Sequence, residues 1–289
     1  MRPGKINGLP ADMAECPPGS GPPAPSFVHD MSFMNWVRTE IFKIRGYEIG
    51  PDLRVPLHNL CGYMEEAAAL HAAELGFSMA DLARRNLAWA LIRLGIEFEE
   101  WPFLGGEAPR DEEAGLVTVR TWPVAAERLQ YRRDFLLTWR GKVAARAATD
   151  WVVINLESRR AERIPEFITA LKPENPETAL TAVRPRLPDP ENAPELASFT
   201  VRKSDLDRNN HVNNACFAAW LVESAPDDLS AGGRLRALHI LYRAEGRYGD
   251  TVVARGRREA EDAFLHGFFR LSDGRELARA RSQWGPLQS

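Results

Sequence analysis

From Leu57 to Leu75, apolar residues recur at helical spacing: Leu57, Leu60, Met64, Ala67, Ala68 and Leu75. The pattern predicts one long helix over about 57–75, with Gly76 as its stop. A strand-like run, Thr39 to Tyr47, precedes it, followed by the turn signal Gly50-Pro51-Asp52. Strand-like runs follow it at Leu87–Phe98, Leu116–Val124, Arg133–Trp139 and Val143–Asn155. Arg140-Gly141-Lys142 predicts a tight turn between the last two.

The same order returns further along. Ser198–Lys203 is strand-like, a polar loop follows, and a helical segment runs from about Asn213 to Ser224. Strand-like runs come next at Leu235–Glu245, Thr251–Glu259, Phe264–Leu271 and Glu276–Trp284, with the hairpin signal Asp273-Gly274 between the last two. One strand, one long helix, then an antiparallel set, twice over, predicts a duplicated α+β unit. In each unit a highly curved sheet would wrap a single apolar helix. A faint alignment pairs Arg45 with Arg202 and Glu66 with Glu223.

Two Pro-rich stretches punctuate the 289 residues. Residues 1–26, with Pro17-Pro18-Gly19 and Pro22-Pro23, cannot bury a core and read as a mobile tail. Residues 172–195, with Pro173, Pro176, Pro185, Pro188, Pro190 and Pro194, read as a semi-extended linker. Two structured halves remain, 27–171 and 196–289.

Composition adds exclusions. A hydrophobic fraction of 44% and a charged fraction of 27% suit a globular chain, and a net charge of -3 gives no general attraction to nucleic acid or an anionic membrane. No apolar run approaches the ~20 residues that span a bilayer, and no signal peptide is visible. Cys16, Cys61 and Cys216 are too few and too scattered for a disulfide framework or a zinc cluster. These features predict a cytoplasmic location in a reducing compartment, with no metal and no cofactor.

The densest polar cluster is Asp205-Leu206-Asp207-Arg208-Asn209-Asn210-His211-Val212-Asn213-Asn214, between a strand and a helix. Turn and cap chemistry accounts for Asn213, Asn214 and Asp205. His211 alone would read as a loop histidine. Asp207, Asn209 and His211 fall on alternate positions, and an extended loop would turn all three to one side. The helix start beyond them presents backbone N–H groups and a dipole that favour a developing oxyanion.

Arg202-Lys203-Ser204 leading into that string, with Trp220-Leu221-Val222-Glu223-Ser224 after it, resembles the signature of plant-type and bacterial fatty acyl-ACP thioesterases. Leu241-Tyr242-Arg243-Ala244-Glu245 resembles the family's Tyr-Arg-x-Glu segment. In the first half, Ile44–Asp52, Asn86-Leu87-Ala88-Trp89, Arg132-Arg133-Asp134-Phe135 and Ile164-Pro165-Glu166 follow in the family's order. The resemblance covers about residues 37–285. It implies two tandem hot-dog domains, each a curved antiparallel sheet around a long helix. It also implies catalytic roles for Asp207, Asn209, His211 and Glu245, an acyl carrier protein as partner, and no cofactor. The first half has Asp52-Leu53-Arg54 in place of the motif, so it would shape the acyl tunnel while the second supplies the chemistry. Members often carry Cys after the glutamate. Gly246 stands there in this chain, which excludes a thiol nucleophile at that place.

On that resemblance, Glu245 with His211 would activate a water, or Glu245 would form an anhydride, while Asn209 and Asp207 position the reacting groups. Without it, Glu245 reads as a strand-end carboxylate paired with Arg243 or Arg247. Tunnel candidates are Leu60, Met64, Trp89 and Phe135, with Trp36 and Ile92; each also reads as ordinary core. Arg202, Lys203, Arg208 and the pair Arg132-Arg133 would dock an acidic carrier or cover strand edges. Cys61 and Cys216 read as small core residues. Two units in one chain suit a monomer or a homodimer. An acyl-CoA thioesterase and a non-enzymatic acyl-binding protein are the alternative functions.

Overall fold

The structure, a computed structural model, describes residues 36–104, 115–127, 129–170, 177–181, 185–232 and 234–285. The expected tail at 1–26, Cys16, Pro173 and Pro176 lie outside the described residues.

The first half runs β1 (Arg38–Lys43), α1 (Leu57–Glu74), α2 (Met79–Ala83), β2 (Leu87–Phe98), β3 (Leu116–Glu127), β4 (Gln130–Trp139), β5 (Lys142–Asn155), β6 (Ala161–Glu162) and α3 (Glu166–Thr169). The second runs β7 (Glu195–Thr200), α4 (Asn214–Ser224), α5 (Asp227–Gly232), β8 (Arg234–Tyr242), β9 (Thr251–Ala260), β10 (Ala263–Arg270) and β11 (Glu276–Gly285). The first strand is shorter than its apolar run. It stops at Lys43, and Tyr47 falls in a 3-10 turn over Gly46–Glu48.

The strands form one sheet in the order β1-β3-β4-β5-β2-β8-β11-β10-β9-β7, with β6 on β5. Read outward from the centre, the two halves repeat each other. They join where β2 pairs antiparallel with β8, Arg93 opposite Leu241 through to Glu97 opposite Ala237. α1 and α4 pack against each other and share one apolar core with the sheet. This is the tandem hot-dog architecture. Leu60, Phe135 and Leu137 from the first half and Leu221, Leu238 and Phe268 from the second are fully buried. Each such side chain contributes about 1.5–3 kcal/mol by leaving water. α1 ends as its sequence predicts: the Gly76 N–H bonds the Ala73 carbonyl at 3.2 Å with φ at +76°.

The duplication reaches single residues. In each half an arginine precedes a 3-10 turn and bonds the carboxylate three residues on. Arg45 N–H donates to Glu48 at 2.9 Å, and Arg202 N–H donates to Asp205 at 2.8 Å. Glu66 and Glu223 occupy the same place along α1 and α4, and both are exposed.

The described part of the Pro-rich stretch is strapped to the sheet. Arg132 Nη2 donates to the Leu180 carbonyl at 2.5 Å, and Ala179 N–H donates to Asp134 at 2.6 Å. Further on, Arg279 Nη1 donates to the Pro188 carbonyl at 2.9 Å and Arg255 Nη1 to that of Glu191 at 3.0 Å. Among the described residues, no helix is long and apolar enough to cross a membrane.

Candidate active site

The loop from Asp207 to His211 is a closed turn, which corrects the expectation of an extended segment. Asp207 N–H donates to the His211 carbonyl at 2.8 Å, and Asn210 N–H donates to the Asp207 carbonyl at 3.1 Å. Asn210 takes φ +60°, a conformation that asparagine tolerates better than most residues. The Asp207 carboxylate fastens the turn. Its Oδ1 accepts from Asn209 N–H at 2.8 Å and His211 N–H at 3.1 Å, and its Oδ2 accepts from Asn209 Nδ2 at 3.3 Å. Asp207 therefore reaches His211 through the backbone, not through the ring.

The first half has the same turn without the same side chains. Gly50 N–H donates to the Arg54 carbonyl at 2.8 Å, Leu53 N–H to that of Gly50 at 2.9 Å, and Leu53 takes φ +63°. Gly50, Asp52 and Arg54 thus stand where the second half has Asp207, Asn209 and His211. Arg54 pairs with Asp52 at 3.0 Å, and no imidazole is present in that turn.

Beyond the loop, Asn213 caps α4, its side chain accepting from Ala215 N–H at 2.8 Å. Asp205 is buried and bonded to Arg202 at 2.8 Å, and the guanidinium holds its carboxyl below the usual range against the upward push of burial. Both do the structural work their residue types predict.

Glu245 lies three residues past the end of β8. Its segment is held by Arg243 N–H on the Leu277 carbonyl at 2.8 Å and by Val212 N–H on the Gly246 carbonyl at 2.9 Å. The second bond ties the glutamate's segment directly to the histidine's. His211 Nε2 and Glu245 Oε2 are 3.2 Å apart. A Cβ at Gly246 would come within 2.8 Å of Val212 Cγ2, so with the two segments this close a side chain there would force Val212 to shift.

The partner of Glu245 is Arg159, rather than Arg243 or Arg247. Arg159 Nη2 donates to both carboxylate oxygens, at 2.5 and 2.6 Å. Arg243 bonds Glu276 at 3.0 Å instead. Arg159 belongs to the first half, in the turn after β5, with φ +57°. Asn155 Oδ1 shapes that turn by accepting from Glu157 and Ser158 N–H at 3.0 and 2.9 Å. No sequence spacing points to Arg159; the Asn155 turn signal is the only trace.

An apolar pocket of about 20 Å³ opens between the halves, lined by Cys61, Met64, Glu65, Ala68, Leu91, Leu94, Phe135, Thr149, Trp151, Ala215 and Tyr242. It has room for one water, and the side chains around it would have to part for a chain of carbons. Of the tunnel candidates, Met64 and Phe135 line it. Leu60 is fully buried in the core outside it, and Trp89 packs on Phe77 and Tyr131 with its Nε1 on the Phe77 carbonyl at 2.9 Å. Trp36 and Ile92 are half-buried and outside the lining.

Glu65 was not singled out by its sequence context. Burial and the nearby charge of Asp207 push its carboxyl up to about 7. Burial keeps the thiols of Cys61 and Cys216 protonated. Cys216 is half-buried with its thiol pushed up to about 11, and the buried Cys61 thiol is raised further, both chiefly by desolvation. Arg133 is buried, against Thr121 and His71, and does not present a docking charge.

Residues 36–171 match the family model described as the acyl-ACP thioesterase N-terminal domain, and residues 189–286 match the acyl-ACP thioesterase C-terminal domain. The palmitoyl-acyl carrier protein thioesterase of Gossypium hirsutum is 30% identical over 275 residues, covering 86% of this chain and 64% of that protein. Oleoyl-acyl carrier protein thioesterase 2 of Arabidopsis thaliana is 28% identical over 288 residues, covering 85% of this chain and 76% of that one. Among solved structures, the 12:0-ACP thioesterase from Umbellularia californica superposes with a TM-score of 0.74 at 25% identity, over 87% of this chain and 98% of that one. An acyl-ACP thioesterase from Bacteroides thetaiotaomicron, 24% identical, shares the fold with a TM-score of 0.73 over 86% and 97%. With both domain models matched in order across the two halves, the chain belongs to the acyl-ACP thioesterase family.

Proposed function

We propose that this protein hydrolyses the thioester of a fatty acyl–acyl carrier protein, releasing the free acid and the carrier thiol. The observation that carries this reading is the His211–Glu245 pair at 3.2 Å, held by segments bonded to each other, with Ala215 and Tyr242 from the same two stretches of chain lining the apolar pocket. In this reading the pair takes a proton from water, whose oxygen adds to the thioester carbonyl. The C–S bond then breaks and the carrier leaves as thiol. Asn209, fixed by Asp207, donates to the carbonyl oxygen as it becomes an oxyanion. Asp207 maintains the turn.

The division of labour follows the halves. Residues 27–171 shape much of the acyl pocket and lend Arg159, while residues 196–289 supply Asp207, Asn209, His211 and Glu245. The carrier, being acidic, docks on exposed cations beside the loop, Arg202, Lys203 and Arg208. Both hot-dog units are present in one chain, so a monomer suffices. The free thiols Cys61 and Cys216 fit a reducing cytoplasm.

The test is free fatty acid release from a panel of acyl-ACPs by the parent, His211→Ala and Glu245→Ala, with the matching acyl-CoAs alongside. Loss of turnover in both folded variants supports the assignment, and near-normal kcat in either sinks it. Equal kcat/KM on acyl-CoA would remove the carrier protein from the reading. An electrostatic docking step further requires KM on acyl-ACP to rise with ionic strength.

A further inference from the structure

Glu65 projects from α1 into the pocket, where the wall beside it is built from Met64, Ala68, Leu91, Leu94 and Phe135. The polar groups nearby are already engaged. Thr149 donates its hydroxyl to the Arg133 carbonyl at 3.2 Å and accepts from Trp151 Nε1 at 2.9 Å. The Tyr242 hydroxyl donates to the Asn214 carbonyl at 3.4 Å. Glu65 makes no hydrogen bond or ion pair among the described residues. The charge it faces is the like charge of Asp207, and Cys61, Cys216 and Tyr242 around it are kept protonated by burial. Among the described residues, no donor or cation therefore offsets the cost of drawing this half-buried carboxyl away from water.

The lining fixes which part of the chain Glu65 shares the pocket with. Ala215, four residues past His211 in the first turn of α4, and Tyr242, three residues before Glu245, line the same pocket, so Glu65 stands close to the segments that carry the reacting groups. A saturated acyl chain would leave it unsatisfied there. A hydroxyl on the first carbons beyond the thioester would satisfy it in either protonation state, donating to the carboxylate or accepting from the acid.

Resting on the hydrolase reading above, we propose that Glu65 selects acyl chains bearing a hydroxyl close to the thioester, making hydroxyacyl-ACP the preferred substrate class. The reaction is unchanged: water adds, the C–S bond breaks, and the product acid keeps its hydroxyl. Glu65 acts by binding that hydroxyl and takes no part in the proton transfers.

The experiment compares kcat/KM on 3-hydroxyacyl-ACP and unsubstituted acyl-ACP of equal chain length, for the parent, Glu65→Gln and Glu65→Met. The parent should favour the hydroxyacyl substrate by about tenfold or more, as expected where a site is built to hydrogen-bond a substrate hydroxyl. Glu65→Gln keeps a donor and an acceptor at the original size and should retain most of that preference. Glu65→Met should abolish or reverse it. A parent that hydrolyses the unsubstituted chain equally well or better overturns the proposal and leaves the hydrolase reading standing. So does Glu65→Met lowering both substrates by one factor, because Glu65 would then serve the chemistry. Failure of the folded parent on both substrates overturns the two readings together.

Discussion

Arg159 and Glu245 are 86 residues apart in sequence, and one guanidinium nitrogen of Arg159 holds both carboxylate oxygens of Glu245, at 2.5 and 2.6 Å. The contact joins the first half of the chain to the candidate site in the second. Arg159 reaches it from a left-handed backbone position, which costs on the order of 1 kcal/mol or more for a residue with a Cβ. About half of the Arg159 side chain is exposed, so the pair itself adds little to stability, roughly 0–1 kcal/mol. Its effect is on where the carboxylate points.

Arg159→Ala is accordingly expected to lower kcat/KM by about tenfold through misorientation of Glu245, with little change in Tm. Arg159→Lys should recover part of the loss, since a point charge replaces a planar fork. Steady-state kinetics beside thermal unfolding separates the two effects. Unchanged kcat/KM in Arg159→Ala would show that the contact is incidental.

Asp207 spends its carboxylate on two backbone N–H groups and one side-chain amide. Asparagine at 207 keeps an oxygen for the backbone bonds, whereas alanine keeps none. Asp207→Asn should lose less than about tenfold in kcat, and Asp207→Ala about a hundredfold, with disorder in the turn. Equal losses would mean that the negative charge, not the turn, is what matters. The readouts are single-substrate kinetics and amide exchange across 207–211.

The organisation of the chain was largely legible in its pattern. α1, the four-strand sets and their hairpins fall close to the runs of apolar residues, because β3, β4 and β5, and likewise β9, β10 and β11, pair in sequence through short turns. The junction of β2 with β8 was not, since nothing in an apolar run says which distant edge it will pair with. Glu65 was hidden for a related reason. On a surface helix its position would face solvent, but α1 is buried against both the sheet and α4, so the same position faces a pocket. Of the site, Asp207, Asn209, His211 and Glu245 were legible as a motif. Arg159 was not, because a contact across 86 residues leaves no spacing. Alternation predicted three side chains on one side of an extended loop; the closed turn, with Asn210 in a left-handed conformation, brings the Asn209 amide to Asp207 and sets the His211 ring against Glu245 instead.

Gly246 occupies the place after Glu245 where a cysteine would be the natural question. Its missing Cβ leaves room for Val212 Cγ2, 2.8 Å from where that atom would sit. Gly246→Cys should destabilise the fold by about 1–3 kcal/mol through overpacking and lower activity by displacing the segment next to His211. Trimming the neighbour, in Gly246→Cys with Val212→Ala, should return part of both. Full activity and unchanged Tm in Gly246→Cys alone would contradict this account of the close approach.

Glu65 gives the fold a pH dependence of definite sign. Its carboxyl is raised from the ordinary 4.5 to about 7, by burial first and by Asp207 second. Below about pH 4.5 the group is protonated in both folded and unfolded chains and costs nothing. Between about pH 4.5 and 7 the unfolded chain releases the proton while the folded one retains it, so stability falls as pH rises. Above about 7 the loss is complete, on the order of 2–3 kcal/mol after allowing for solvent at the pocket. Glu65→Gln removes the titration without changing the size of the side chain. It should therefore raise Tm by several degrees at pH 8, and the gain should shrink towards pH 5. Thermal unfolding of both proteins across that range measures it. A difference in Tm that does not vary with pH would place the Glu65 carboxyl in contact with water, outside the apolar pocket.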